Sequence, residues 1–263
     1  MQTTHYQAVF SDIDGTLLNN QHQITPKTAA AIQRIAQQNI PFILVSARPP
    51  LAITPYSQQL QANQPIICYS GALILDRNLT PLYSISINET DLIQLDLQLQ
   101  SFQHLSINYY ANTLWFSNDV DNYWTKQEGE ITGLQAVKKA EKLTNVHKIL
   151  VMGEADEILR LETLLKSLFP QLSIHRSKAE YLEIMNSKAT KSKAIRFMQQ
   201  KLGITSEHIV AFGDNFNDLD MLQYVGFGVA MANAPDEIKA AASYVTASNN
   251  EDGIALVLNK LFP

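Results

Sequence analysis

The sequence predicts an α/β protein organised on a parallel sheet, with an α+β module inserted into it. Three observations lead there. Apolar runs of strand length stop abruptly at polar loops, a helix-period segment separates the first two runs, and this grammar lapses mid-chain before returning near the end.

Taken in order, Ala8-Val9-Phe10 is the first run, and it stops at Ser11-Asp12-Ile13-Asp14-Gly15-Thr16, a loop holding the glycine that a sharp turn needs. Thr25 then precedes Pro26, an N-cap ahead of the favoured first-turn proline, and Ala29, Ile32, Ile35 and Ala36 follow at helical spacing. Residues 41–45 form the next strand candidate, ending at Ser46-Ala47-Arg48-Pro49. Strand, helix, strand in that order implies a right-handed crossover and a parallel pair. Late in the chain, residues 189–202 read as a helix closed near Gly203, and residues 208–212 as a strand stopping at Gly213-Asp214. An apolar run over 226–230, a helix from Pro235 and a last helix from Asp252 complete the core.

The middle differs. Helical segments over 89–103 and 154–169 mix with short alternating runs over 106–111, 113–117, 147–152 and 181–185. The expected division is a core of residues 1–83 and 187–263 around an inserted module of residues 84–186.

Composition narrows the function classes. The 263 residues are 46% hydrophobic and 17% charged, and a net charge of −5 offers no basic field for nucleic acid. Lys138, Lys139 and Lys142 form the densest basic group, but Glu141 sits among them and no aromatic platform accompanies them, so they read as a solvated face. The one cysteine, Cys68, lies in an apolar run and reads as a small buried residue. No apolar run approaches a membrane span, and Met1-Gln2-Thr3-Thr4-His5 lacks the features of an export signal; the expectation is a cytoplasmic protein without a membrane partner. No two histidines fall at i,i+4 or beside a cysteine, which argues against zinc.

The chemistry concentrates where strands end. In open parallel sheets, ligands gather beyond the carboxyl ends of the strands. Those ends carry Asp12 and Asp14, then Ser46, then Asp214 and Asp218, while Lys191 begins the returning helix. Each has a plainer reading on its own: a turn, a helix cap, a solvated lysine. A calcium loop at Asp12 is a poor fit, because Leu17 stands where an EF-hand needs glycine.

At these spacings the chain resembles the haloacid dehalogenase superfamily, in its Cof-type phosphatase branch. Asp12-Ile13-Asp14-Gly15-Thr16-Leu17-Leu18 matches the first motif, Ser46 the second, Glu183-Ile184 with Lys191 the third, and Gly213-Asp214-Asn215-Phe216-Asn217-Asp218 the fourth. The tail agrees in residues 229–234, 244–246 and 251–253. The resemblance implies a Rossmann-like core with an inserted C2-type cap. It implies hydrolysis of small phosphorylated metabolites, sugar or cofactor phosphates, through an aspartyl-phosphate, with Mg²⁺ as cofactor.

It also implies roles. Asp12 attacks phosphorus; Asp14 protonates the leaving oxygen and then activates water. Gly15 and Ala47 lie against the phosphate through the backbone, Ser46 donates to a phosphate oxygen, and Asn217 holds phosphate or water. Asp12, the Asp14 backbone carbonyl and Asp214 hold the metal, and Asp218 orients a metal-bound water or Lys191. Lys188 is the other candidate for the phosphate-facing lysine; Lys191 is preferred because it falls in register with Ala194 and Ile195. The cap closes over the site and selects the substrate, with Tyr109, Tyr110, Trp115, Asn118 and Tyr123 as candidate contacts.

The chain departs from the family pattern at Ala47, where glycine is usual, and at Ser70, where asparagine is usual. Ala47 would be strained if that position required a positive φ. Two other functions fit the same motifs: phosphomutase-type phosphoryl transfer, and a non-enzymatic phosphate-binding regulator. Oligomeric state is not legible.

Overall fold

In the computed structural model, residues 5–139 and 142–263 are described. Met1 to Thr4 and the Glu141 of the lysine-rich stretch lie outside them. The chain divides into two compact units, one holding the chain up to Arg48, Ile53–Leu82 and Thr190–Pro263, the other Pro49–Ala52 and Tyr83–Ala189.

The first unit opens with β1 (Ala8–Ser11), α1 (Pro26–Gln37), β2 (Phe42–Val45), α2 (Thr54–Gln59), β3 (Ile66–Cys68) and β4 (Leu73–Leu75); β5 (Pro81–Ser84), the edge strand of its sheet, runs across the division at Leu82. Thr25 caps α1, accepting the Thr28 N–H at 3.2 Å, with Pro26 next in the chain. The second unit holds α3 (Glu89–Leu99), β6 (Ser106–Ala111), β7 (Leu114–Ser117), α4 (Tyr123–Thr132), β8 (Val137–Lys138), β9 (Val146–Met152), α5 (Ala155–Leu168), β10 (Leu172–Lys178) and β11 (Tyr181–Asn186). The first unit then resumes with α6 (Lys191–Leu202), β12 (Ile209–Gly213), α7 (Leu219–Tyr224), β13 (Phe227–Ala230), α8 (Asp236–Ala241), β14 (Tyr244–Val245) and α9 (Gly253–Leu261).

The expected α/β class is the observed one. The first sheet runs β14-β13-β12-β1-β2-β3-β4-β5, parallel from β14 to β3 and antiparallel between β3 and β4. β1 is fully buried at its centre, paired Ser11 to Phe212 on one side and Ser11 to Leu44 on the other. The chain winds from β1 toward β2 and β3, and later from β12 toward β13 and β14. That reversal between β1 and β12 is a topological switch point, the place where open parallel sheets take ligands.

The second sheet runs β10-β11-β9-β6-β7-β8, antiparallel except between β7 and β8. Leu92, Leu95 and Leu99 of α3 and Ile158, Leu161 and Leu165 of α5 cover one face, packing on Ile107, Tyr109, Ile149, Val151, Leu182 and Ile184. This corrects the expectation for Tyr109. Its ring belongs to that core and its hydroxyl donates to Asp96 at 2.7 Å, so it is a packing residue. Asn118 is likewise occupied in holding its own loop: it accepts from Ile107 N–H and donates to the Leu105 carbonyl. Tyr110 and Trp115 stack on each other, with centroids 5.8 Å apart. Cys68 is buried and free. No helix among the described residues is long and apolar enough to cross a membrane.

Candidate active site

The site begins where β1 runs out. Asp12 N–H still donates to Phe212 O at 3.0 Å, so Asp12 is held by the ladder to β12 while its side chain lies one residue past the strand. Ile13–Leu17 then wind as one wide turn, closed by Leu18 N–H on Ile13 O at 2.9 Å. Inside the turn Asp14 (φ −80°, ψ 122°) and Gly15 (φ 76°) leave helical geometry. Gly15 is required twice over, by that positive φ and because a Cβ there would stand 2.3 Å from Asp214 Oδ2.

Lys191 arrives from the other side as the first residue of α6. Thr190 is the N-cap, its hydroxyl accepting from Lys193 N–H at 3.3 Å, and this fixes which residue starts the helix. Lys191 is only 1% exposed, and its Nζ donates to Asp12 Oδ1 and to Asp218 Oδ1, each at 2.5 Å. Asp218 Oδ2 in turn accepts the N–H groups of Asp214 and Asn215, each at 2.9 Å. Asp218 is therefore fully committed to orienting Lys191 and the loop after β12. Thr16 Oγ1 donates to Asp214 Oδ1 at 2.5 Å.

The electrostatics follow from burial and an uneven charge count. Burial pushes the Asp12 carboxyl well above its usual range; Lys191 opposes the shift, and Asp218 and Asp214 add to it. Burial also acts against the charge on Lys191, but Asp12 and Asp218 outweigh it and raise its pKa. Asp214 is pushed up to about 6, first by burial, with Thr16 opposing and Asp218 reinforcing. Burial leads both upward carboxyl shifts, and three buried or half-buried carboxylates facing one lysine leave the formal charges short of positive charge.

That deficit is the test for a metal. One oxygen each from Asp12, Asp214 and Asp218 lie within 4.8 Å of one another. With Asp218 committed, Asp12 and Asp214 are the residues with carboxylate oxygens to offer, a hard-oxygen set that suits Mg²⁺. The residues fit the group.

The remaining sequence-derived candidates fall around this cluster in different ways. Ser46 is buried just past β2, its Oγ accepting Arg48 N–H at 3.1 Å, and its carbonyl accepting Ser70 N–H at 2.9 Å. Ala47 lies outside the left-handed region, so alanine is unstrained there. The left-handed residues of this loop pair are instead Tyr69 (φ 49°), Ser70 (φ 51°) and Gly71 (φ 102°). Asn217 is exposed, and so is Lys188. The Asp14 carboxylate is held by Arg48, through Nε to Oδ2 at 2.7 Å and Nη2 to Oδ1 at 2.6 Å.

Three contributors escaped the sequence reading: Thr16 on Asp214, Arg48 on Asp14, and Asn233, whose Nδ2 donates to Gly15 O at 2.8 Å. All three stand inside or beside the motifs. Their partners lie 198, 34 and 218 residues away, so nothing local announces the contact.

A parallel core that gathers a buried carboxylate, a buried lysine and an acidic cluster at its switch point defines an α/β enzyme working at the carboxyl edge of its sheet. Over residues 9–258 the chain matches the haloacid dehalogenase-like hydrolase family. It belongs to that family and is a phosphatase-type hydrolase. A Haemophilus influenzae protein, provisionally named a phosphatase, is 49% identical over 98% of this chain and 99% of its own. A Bacillus subtilis protein named 5-amino-6-(5-phospho-D-ribitylamino)uracil phosphatase is 31% identical over 93% of this chain and 91% of its own. The crystal structure of a haloacid dehalogenase-like hydrolase from Bacteroides thetaiotaomicron superposes with a TM-score of 0.89 at 27% identity, covering 98% of this chain and 100% of that one.

Proposed function

We propose that this chain is a Mg²⁺-dependent phosphatase that hydrolyses small phosphorylated metabolites, sugar or cofactor phosphates, through a phosphorylated Asp12. The observation that carries the reading is the buried Lys191 bridging Asp12 and Asp218, with Asp214 within reach of both. A carboxylate attacking a phosphate dianion meets like-charge repulsion, and this arrangement supplies one fixed cation and a place for a second. Asp12 and Asp214 would hold Mg²⁺, which would supply positive charge that offsets this repulsion.

In the first step an Asp12 oxygen forms a bond to phosphorus as the bond to the leaving oxygen breaks, and Asp14 gives that oxygen a proton. In the second, water attacks the same phosphorus, Asp14 takes the water proton, and the bond to Asp12 breaks. Ester and water become alcohol and inorganic phosphate, and Asp14 ends with its proton restored. Ser46 and the loop N–H groups after Asp12 hold the phosphate oxygens, Lys191 lowers their negative charge, and Asn217 holds phosphate or water.

Substrate choice belongs to residues 84–186, the inserted module, acting as a cap from the cytoplasmic solution. The small-molecule class is supported by the Bacillus subtilis relative, whose name gives a phosphorylated ribitylaminouracil as its substrate. The test is a panel of phosphorylated metabolites assayed with Mg²⁺, with Asp12→Asn as control. At least one ester should be hydrolysed by the parent and none by the variant, whose circular dichroism and Tm stay close to the parent's. Turnover by Asp12→Asn at the parent rate would remove the nucleophile assignment.

A further inference from the structure

We propose that Arg48 is a positioning residue: it aims the Asp14 carboxylate for proton transfer, and Tyr56 holds the arginine in place. This rests on the phosphatase reading above, with Asp14 as the group that moves the proton.

The geometry is a two-point clamp. Nε and Nη2 of Arg48 each meet a different oxygen of Asp14, at 2.7 and 2.6 Å. Two parallel hydrogen bonds between a planar guanidinium and a planar carboxylate fix the plane of the carboxylate as well as its distance. Asp14 needs such help, because it sits in an irregular turn between a buried isoleucine and a glycine of positive φ. No regular element sets its side-chain direction.

The arginine is the fixed half of the pair. Its side chain is 15% exposed against 48% for Asp14. Its guanidinium lies 5.5 Å from the Tyr56 ring centroid, and Nη1 donates to Tyr56 Oη at 3.4 Å. Its backbone is tied at both ends, with N–H on Ser46 Oγ at 3.1 Å and the carbonyl accepting Tyr69 N–H at 3.2 Å. The same three-residue segment therefore places the Ser46 hydroxyl and the guanidinium that grips Asp14. A surface ion pair kept only for stability contributes little and would need none of this backing.

The clamp also constrains the chemistry. The form gripped at both oxygens is the carboxylate, which accepts the proton of the attacking water. When that proton settles on one oxygen, the Arg48 bond to that oxygen opens, and the other keeps the carboxyl aimed. The next leaving oxygen takes the proton, Asp14 is again a carboxylate, and the opened bond re-forms. A lysine at position 48 would keep the positive charge and lose the two-point alignment.

The experiment measures first-turnover release of the phenol from a graded series of phenyl phosphates, from p-nitrophenyl to unsubstituted phenyl. A poorer leaving group depends more on the proton from Asp14. In Arg48→Lys and Arg48→Gln the ratio of phenyl to p-nitrophenyl rates should fall at least about tenfold below the parent's, part of the roughly 10²–10⁴ that general acid–base catalysis contributes. Tyr56→Phe should shift the ratio in the same direction by less. In an Asp14→Asn background, Arg48→Lys should leave the ratio where Asp14→Asn alone puts it, since the two residues act as one unit. Equal losses across the series in the Arg48 variants would overturn the positioning role and leave the Asp14 assignment intact. If Asp14→Asn itself fails to lower the ratio, Asp14 is not the acid, and the proposal falls with it.

Discussion

At Gly15 two constraints coincide, a φ of 76° and an absent Cβ that would otherwise lie 2.3 Å from Asp214 Oδ2. Either would strain an alanine; together they force the turn or Asp214 to move. Gly15→Ala should cost about 1–3 kcal/mol of stability, the usual price of a residue held in a disfavoured region, and lower kcat by roughly 100-fold as the loop shifts. Chemical denaturation and steady-state kinetics read the two effects separately, and an active, equally stable variant would mean the loop tolerates the displacement. The residues of this loop were legible in the sequence because Asp-x-Asp-Gly-Thr is contiguous. The grip of Arg48 on Asp14 and of Asn233 on the Gly15 carbonyl was not, because a contact closed only by the folded sheet leaves no mark in either segment.

Elements decide which side chains converge. The ends of β1, β2 and β12 were visible in the sequence because apolar runs of three to five residues stop at polar loops, and a buried parallel strand has no other signature. β4 and β14 were not, being only three and two residues long, and neither was β5, an edge strand that is exposed or half-exposed throughout. The helix bearing Lys191 was expected from residue 189 and starts two residues later, because Thr190 takes the cap position. That cap has a consequence for the site. Thr190→Ala should destabilise by about 1 kcal/mol and reduce kcat, while Thr190→Ser restores both; a variant losing stability with full kcat would show that the cap does not register the lysine. Convergence of Asp12 and Asp214 from adjacent strands makes a second prediction. Saturating Mg²⁺ should raise the Tm of the metal-stripped protein, by an amount equivalent to about 2.7 kcal/mol at a hundredfold excess over Kd. Asp214→Asn should abolish most of that shift. An identical rise in parent and variant would place the ion elsewhere.

The molecule as a whole carries its two tryptophans, Trp115 and Trp124, in the unit spanning Tyr83–Ala189, so tryptophan fluorescence reports the unfolding of that unit alone. Most of this unit was legible in sequence, its expected runs over 106–111, 113–117, 147–152 and 181–185 falling on β6, β7, β9 and β11, while α4, β8 and β10 were not anticipated. It also contains a buried histidine. His147 accepts Asn112 N–H on Nδ1 at 3.2 Å and meets Ser84 Oγ through Nε2 at 2.9 Å, a pattern suited to the neutral ring. Burial lowers its pKa from 6.5 to about 4. The unfolded chain therefore takes up this proton before the folded unit does. The stability contribution is complete above pH 6.5, falls as pH drops from 6.5 toward about 4, and is lost by about 3 kcal/mol once both states are protonated. Glu128 works the other way, since burial raises its pKa and acidification relieves a buried charge. The comparison that isolates His147 is the parent against His147→Gln, with denaturant unfolding followed by tryptophan fluorescence at intervals from pH 7 to pH 4. The parent should lose stability faster than the variant across that window, and parallel slopes would mean that the imidazole keeps an ordinary pKa in the folded unit.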